Sequence, residues 1–280
     1  MKQYLPRLAV CSWSLQPTCP ADLVRDLKAI GLNKLQLDLD PFRIDPKVWD
    51  AAPALFAENG ITLVAGMFRS VGEDYSTLDT IRITGGVVPD STWAENWKNA
   101  QITVKNAARL GVKFIDFHAG FLPHDSRDPD FAKLIGRIRQ LARLYADHGI
   151  TLGCETGQET ADALKAFLEH LNEPNVAVNF DPANMLLYNK GDPVASLRVV
   201  GRWVKGVHLK DAAVTKTPGT WGEELAVGTG QVNWPAFFQA LDDIKFDGTF
   251  GFEREANNQR VADIRAGLQV ITKLLKEAKS

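Results

Sequence analysis

A chain of 280 residues, 45% of them hydrophobic, can bury one large core, and α/β barrels of about this size form as a single domain. The formal net charge of −2 and a pI near 6.2 give no basic field for a phosphate backbone, so no nucleic-acid partner is expected. No run approaches the ~18 apolar residues of a membrane span, and the N-terminus lacks the apolar core of a signal peptide, so no membrane partner and a cytoplasmic location are expected. Cys11, Cys19 and Cys154 are odd in number and lack zinc-type spacing, which fits reduced thiols.

Leu8 to Ser12 is a short apolar run ending at Trp13, followed by a helix from Ala21 to Ile30 that stops at Gly31. Lys34 to Leu39 alternates as a strand, carrying Gln36 and Asp38 near its end. Pro46 to Asn59 has helical spacing, and Ile61 to Gly66 is the third strand. A long irregular segment from Met67 to Pro89 then holds Glu73, Asp74, Tyr75, Arg82 and Gly85-Gly86. It reads as a lid over a site, the alternative being a surface excursion. A helix starting at Ser91 or Thr92 runs to Leu110, and Phe114 to Phe117 is the fourth strand, with His118 at its end.

The second half repeats the alternation. A helix spans Asp130 to His148, and the strand from Thr151 ends on Glu155. The next helix runs from about Glu159 to Leu171, and the strand from Val176 ends on Asp181. Pro193 to Val200 is a short helix, and Trp203 to Leu209 a strand that contains His208. After a loop from Lys210 to Val232 come a helix from Trp234 to Ile244, a strand ending on Glu253, and a closing helix from Arg260 to Lys276. Eight strand–helix units without a break in composition predict an α/β fold, a single (β/α)8 TIM barrel over residues 1–280.

Four of these strands end on Glu155, Asp181, His208 and Glu253. A carboxylate closing an apolar run is a poor strand residue and costly to desolvate. Taken singly, each has a plain explanation as a solvated loop residue, a helix cap or a hydrogen-bonded core histidine. Together, at the face where barrels of this kind build their sites, they form an oxygen and imidazole set suited to one divalent metal ion: Mn2+, Mg2+, Co2+ or Zn2+. Trp13, Gln36, His118, Asn184, Lys210 and Arg254 lie at or near strand ends and are candidate substrate contacts. Lys210 and Asp211 could equally form an ion pair that stiffens their loop. His124, His148 and His170 read as loop or helix-surface residues. Gly228-Thr229-Gly230 invites a phosphate reading, although a tight turn explains it as well.

The motifs Cys154-Glu155-Thr156-Gly157, Asn179-Phe180-Asp181-Pro182-Ala183-Asn184, Val207-His208-Leu209-Lys210-Asp211, Gly228-Thr229-Gly230 and Phe252-Glu253-Arg254-Glu255 carry a resemblance. The chain resembles the xylose-isomerase-like barrel superfamily, whose members include sugar isomerases, ketose 3-epimerases, inosose dehydratases and apurinic-site endonucleases. The resemblance implies that Glu155, Asp181, His208 and Glu253 bind one divalent ion. It further implies that Glu155 and Glu253 act as acid and base across a sugar or keto-sugar, through a metal-stabilised enediolate. Asn184 stands where epimerases and endonucleases of the superfamily usually have His, which weakens a specific 3-epimerase assignment and removes a ligand that the endonucleases need. A metal-dependent lyase acting on an inosose or a 3-keto-glycoside is the alternative, with His118 or Lys210 as acid, and a sugar-binding barrel without catalysis is a third. A homo-oligomer is compatible with all three.

Overall fold

The computed structural model describes residues 1–123 and 127–277. Among the described residues ten strands form: β1 (Leu8–Cys11), β2 (Lys34–Asp38), β3 (Thr62–Met67), β4 (Phe114–Phe117), β5 (Thr151–Glu155), β6 (Val176–Phe180), β7 (Val204–Leu209), β8 (Asp211–Ala213), β9 (Glu223–Leu225) and β10 (Thr249–Phe252). Eight of them close a parallel barrel in the order β1, β10, β7, β6, β5, β4, β3, β2, while β8 and β9 pair antiparallel as a hairpin. The expected (β/α)8 architecture is thus present, and its four ligand-type strands, β5, β6, β7 and β10, are consecutive neighbours in the wall.

The helices are α1 (Pro20–Ile30), α2 (Asp40–Ile44), α3 (Pro46–Trp49), α4 (Ala52–Glu58), α5 (Leu78–Thr84), α6 (Asp90–Arg109), α7 (Pro129–Ala146), α8 (Ala161–Leu171), α9 (Pro182–Leu187), α10 (Pro193–Val200), α11 (Trp234–Asp243) and α12 (Arg260–Glu277). Their apolar stripes cover the outside of the barrel with a continuous core that includes Leu35, Ile115, Leu152, Val178, Phe237 and Phe250. Three expectations are corrected. Pro46 to Asn59 is not one helix, because Pro53 has no N–H to continue the ladder and instead starts α4 in its first turn. The segment Met67–Pro89 contains α5, and the segment Lys210–Val232 contains the β8–β9 hairpin. Finally, α6 starts at Asp90 behind Pro89, so neither Ser91 nor Thr92 caps it.

Glycine makes room inside the barrel. A Cβ on Gly206 of β7 would meet Asn179 Oδ1 at 2.2 Å and the Phe114 ring at 2.6 Å. One on Gly251 of β10 would meet Gln36 Oε1 at 2.6 Å and Cys11 Sγ at 2.7 Å. With those Cβ atoms absent, Phe114, Ala65 and Ala177 form a small apolar plug. Gln36, Asp116 and Asn179 form a buried polar group under His208. The polar group is the floor of the site.

Candidate active site and metal centre

Each of the four strand-end residues is aimed by its own surroundings. Asp181 caps α9, its Oδ1 accepting from the amides of Ala183 at 2.7 Å and Asn184 at 3.1 Å, which leaves Oδ2 free to face inward. Thr156 ties the ends of β5 and β6: its Oγ1 accepts from the Asp181 amide at 2.8 Å and donates to the Asp181 carbonyl at 3.2 Å. Glu253 Oε1 accepts from the Trp13 indole N–H at 2.6 Å, so its Oε2 turns to the centre. Glu155 divides the same way, with Oε2 lying 3.0 Å from His118 Nε2 and Oε1 turned to the centre.

At that centre His208 Nδ1 lies 2.8 Å from Glu155 Oε1, 3.1 Å from Glu253 Oε2 and 3.7 Å from Asp181 Oδ2. These approaches lack hydrogen-bond geometry. All four atoms are buried without a hydrogen-bond partner, one from each residue, and one proton on Nδ1 cannot satisfy three carboxylates. One ligand atom from each residue lies within 4.8 Å of the others. A cation held by these atoms would satisfy all four, and the donor set of three carboxylates and an imidazole fits a hard or borderline divalent ion. This cluster can hold a metal.

The electrostatics agree. Burial pushes Asp181 up to about 6. Burial also opposes charge on Glu155, but His208 and His118 outweigh it and hold that carboxyl down at about 2. Glu253 is held well below the usual carboxylate range against its burial, by Lys210 and His208. His208 is raised well above an ordinary imidazole, burial being overcome by Glu253, Cys11 and Glu155. The site's carboxylates therefore demand positive charge, which a proton on His208 supplies when no metal does. The other ring nitrogen of His208 faces the Asn179 amide at 3.0 Å and Asp116 Oδ2 at 3.6 Å.

Above the cluster opens a cavity of about 390 Å3. Trp13, His118, Glu155, Asn184, Lys210 and Glu253 are on its walls, so these six expected residues come together there. The Met67–Pro89 segment contributes Arg69, Glu73 and Tyr75, and the Lys210–Val232 segment contributes Trp221 and Glu224, so both line the barrel mouth. Tyr75 places its hydroxyl 2.5 Å from His118 Nδ1 and 3.1 Å from Glu73 Oε2.

Two expected substrate contacts are not on these walls. Gln36 lies a layer deeper, its amide donating to Asp116 at 2.8 Å. Arg254 points away, bonding Asp263 at 2.9 Å and Glu224 at 2.8 Å, and so pins the hairpin to the last loop. Lys210 does not pair with Asp211. It is buried 3.1 Å from Glu253 Oε2 and 2.8 Å from Glu255. Asp211 instead accepts from the amides of Ala212, Gly228, Gly230 and Val232 and from the Trp234 indole. The glycine turn therefore holds a carboxylate of its own chain, and its Gly228 and Gly230 amides are not open to a phosphate.

His148 lies in the turn after α7 and His170 on α8, both away from the cavity, and His124 lies outside the described residues. Sequence reading passed over Asp116 and Asn179. Each is a lone polar residue in the middle of an apolar strand, and that was the available signal.

A family model described as a xylose isomerase-like TIM barrel matches residues 24–274. The chain belongs to the xylose isomerase-like TIM barrel family. A xylose isomerase domain protein from Planctomyces limnophilus superposes with a TM-score of 0.85 at 32% identity, covering 91% of this chain and 92% of that one. A ketose 3-epimerase from Arthrobacter globiformis is 23% identical over 255 residues, 86% of this chain and 79% of that protein. A probable 3-DHS dehydratase, AsbF, from Bacillus anthracis shares the fold with a TM-score of 0.69 at 17% identity, covering 95% and 98% of the two chains. In this xylose isomerase-like barrel, as in barrels of the class, the cluster and cavity occupy the C-terminal face of the strands.

Proposed function

We propose that this barrel is a divalent-metal-dependent isomerase or epimerase of small uncharged sugars or keto-sugars, working by proton transfer at the carbon beside a carbonyl. One observation carries the reading. Glu155 and Glu253 face both the cluster and the cavity, whereas Asp181 and His208 lie beneath, off the cavity walls. The four would hold one Mn2+, Mg2+, Co2+ or Zn2+ ion. When bound, that ion supplies Lewis-acid polarisation of a carbonyl and its neighbouring hydroxyl.

The remaining work falls to the chain. Glu155 and Glu253 stand on the two outer strands of the row β5, β6, β7, β10, suited to take a proton from one side of a substrate and return it on the other. A positioned base of this kind contributes ~10²–10⁴ in rate. His118 and the Trp13 indole hold the outer oxygen of each. The walls from Met67–Pro89 and Lys210–Val232 keep water from the reacting carbon.

The uncharged substrate follows from how the cavity's cations are used. Arg69 is paired with Asp38 at 2.9 Å, Lys210 with Glu253 and Glu255, and His118 with Glu155. Glu73 adds a further carboxylate to the walls, while Glu224 is paired with Arg254. A phosphorylated sugar would have to displace one of these pairs.

Elimination is the second reading, favoured by the 2.5 Å contact between Tyr75 and His118. That pair places an additional proton donor beside Glu155, which loss of a hydroxyl requires. Incubating the Mn2+-loaded protein with keto-sugars and cyclitols, followed by NMR of the products, separates the two. Rearrangement at constant mass supports the isomerase, and loss of water or of an aglycone supports the lyase. Turnover confined to sugar phosphates contradicts the uncharged substrate.

A further inference from the structure

Lys210 directly follows β7, and its side chain is buried on the wall of the cavity. Three carboxylates surround its ammonium. Glu253 Oε2 lies 3.1 Å away and Asp181 Oδ2 3.9 Å away, and these are two of the four inward-turned atoms of the cluster. Glu255 Oε2 lies at 2.8 Å and, alone of the three, accepts a hydrogen bond from the ammonium.

The two kinds of contact differ in what holds them. The directional bond goes to an exposed residue at the rim, whereas Glu253 and Asp181 are met by charge alone. The backbone of Glu255 is pinned there: its amide donates to Glu224 Oε1 at 2.9 Å, and its carbonyl accepts from Arg260. Lys210 can therefore draw back from the cluster on its flexible stem and keep its hydrogen bond. An ammonium and a divalent ion on the same carboxylate oxygens repel each other. A neighbouring cation lowers a carboxylate's affinity for a proton by ~10- to 1,000-fold, and a doubly charged ion meets at least that penalty. Arg69 and Arg254 pair with carboxylates outside the cluster, so neither plays this part.

We infer that Lys210 is a resident counter-cation of the cluster, which a divalent ion must push back onto Glu255, so that Lys210 and Glu255 together set the site's metal affinity. The inference rests on the metal reading above and adds to it a pair of residues that are not ligands.

The test is competition for Mn2+ between the protein and a fluorescent chelator at about pH 8, where carboxylates are ionised. Lys210→Met keeps an unbranched stem, removes the charge and should tighten Mn2+ binding about tenfold or more. A lysine that only props the ligands in place predicts the opposite sign, since its loss would loosen them. Glu255→Ala removes the seat at the rim, leaves the ammonium on the cluster and should weaken binding several-fold. In the double variant the ammonium is gone, so Glu255→Ala should then change affinity by less than about twofold. Glu255→Ala alters an exposed side chain and gives an answer even if Lys210→Met fails to fold. Unchanged or weaker Mn2+ binding by folded Lys210→Met would overturn the inference and leave the metal reading standing. So would a Glu255→Ala protein that binds as wild type does, or an effect of Glu255→Ala that persists undiminished in the double variant. Failure of wild type to bind Mn2+ at all would sink the metal reading and the inference with it.

Discussion

The Trp13 indole N–H donates to Glu253 Oε1 across 2.6 Å, joining the ends of β1 and β10 where the barrel closes. This fixes which oxygen of Glu253 faces the cluster. Trp13→Phe keeps the ring and removes the donor, and a hydrogen bond to a charged group contributes about 1.5–3 kcal/mol. A roughly 10- to 100-fold loss of turnover is expected, with metal content unchanged. Steady-state kinetics with elemental analysis of the same sample checks it.

Asp116 lies beneath His208, 3.6 Å from Nε2, and burial pushes its carboxyl up to about 7. It faces the imidazole edge opposite the cluster, so it sets ring orientation without touching an ion. Asp116→Asn should weaken metal affinity about 10- to 100-fold. Competition with a fluorescent chelator measures this, and unchanged affinity would assign the orientation to Asn179 instead.

Metal binding should release protons. In the metal-free protein His208 is raised well above its ordinary value, so it is protonated at neutral pH, and an ion on Nδ1 displaces that proton. Affinity therefore falls as pH falls, by about tenfold per pH unit for one proton. Below about pH 6 the dependence steepens, because Asp181, pushed up to about 6 by burial, takes a proton as well. Above the raised value for His208 the dependence flattens. Titration calorimetry in buffers of different ionisation enthalpy counts the protons directly.

Asp211 is a stability residue. Its carboxylate accepts from four backbone amides and the Trp234 indole, all anchoring the loop after β7. Asp211→Asn turns a donor toward those donors and should cost about 3 kcal/mol. Urea unfolding with the midpoint and slope compared to wild type tests it.

How much of this was legible in the sequence depended on how sharply each residue interrupted its pattern. A carboxylate or imidazole at the end of an apolar run marked β5, β6, β7 and β10, and those four residues do converge. Depth and direction were harder to read. Gln36 points into the barrel but sits a layer below the cavity, among residues far apart in sequence. Arg254, adjacent to Glu253, turns to the other side and binds Glu224 and Asp263. Strand alternation fixes a side and says nothing about which layer a side chain reaches. The three-residue strands β8 and β9 and the six-residue α9 were too short for any periodicity. Local prolines explain the helix starts that spacing alone misplaced.

In the proposed reaction Glu155 and Glu253 move the proton while Asp181 and His208 hold the site. Solvent exchange in D2O tests it most directly, with metal content measured on each sample. Wild type should place deuterium at the carbon beside the carbonyl of a turned-over keto-sugar. Glu155→Gln and Glu253→Gln that retain metal should each lose that exchange by ~10²-fold or more. Full product formation without deuterium uptake, or a metal-loaded double variant that exchanges as fast as wild type, would contradict the account.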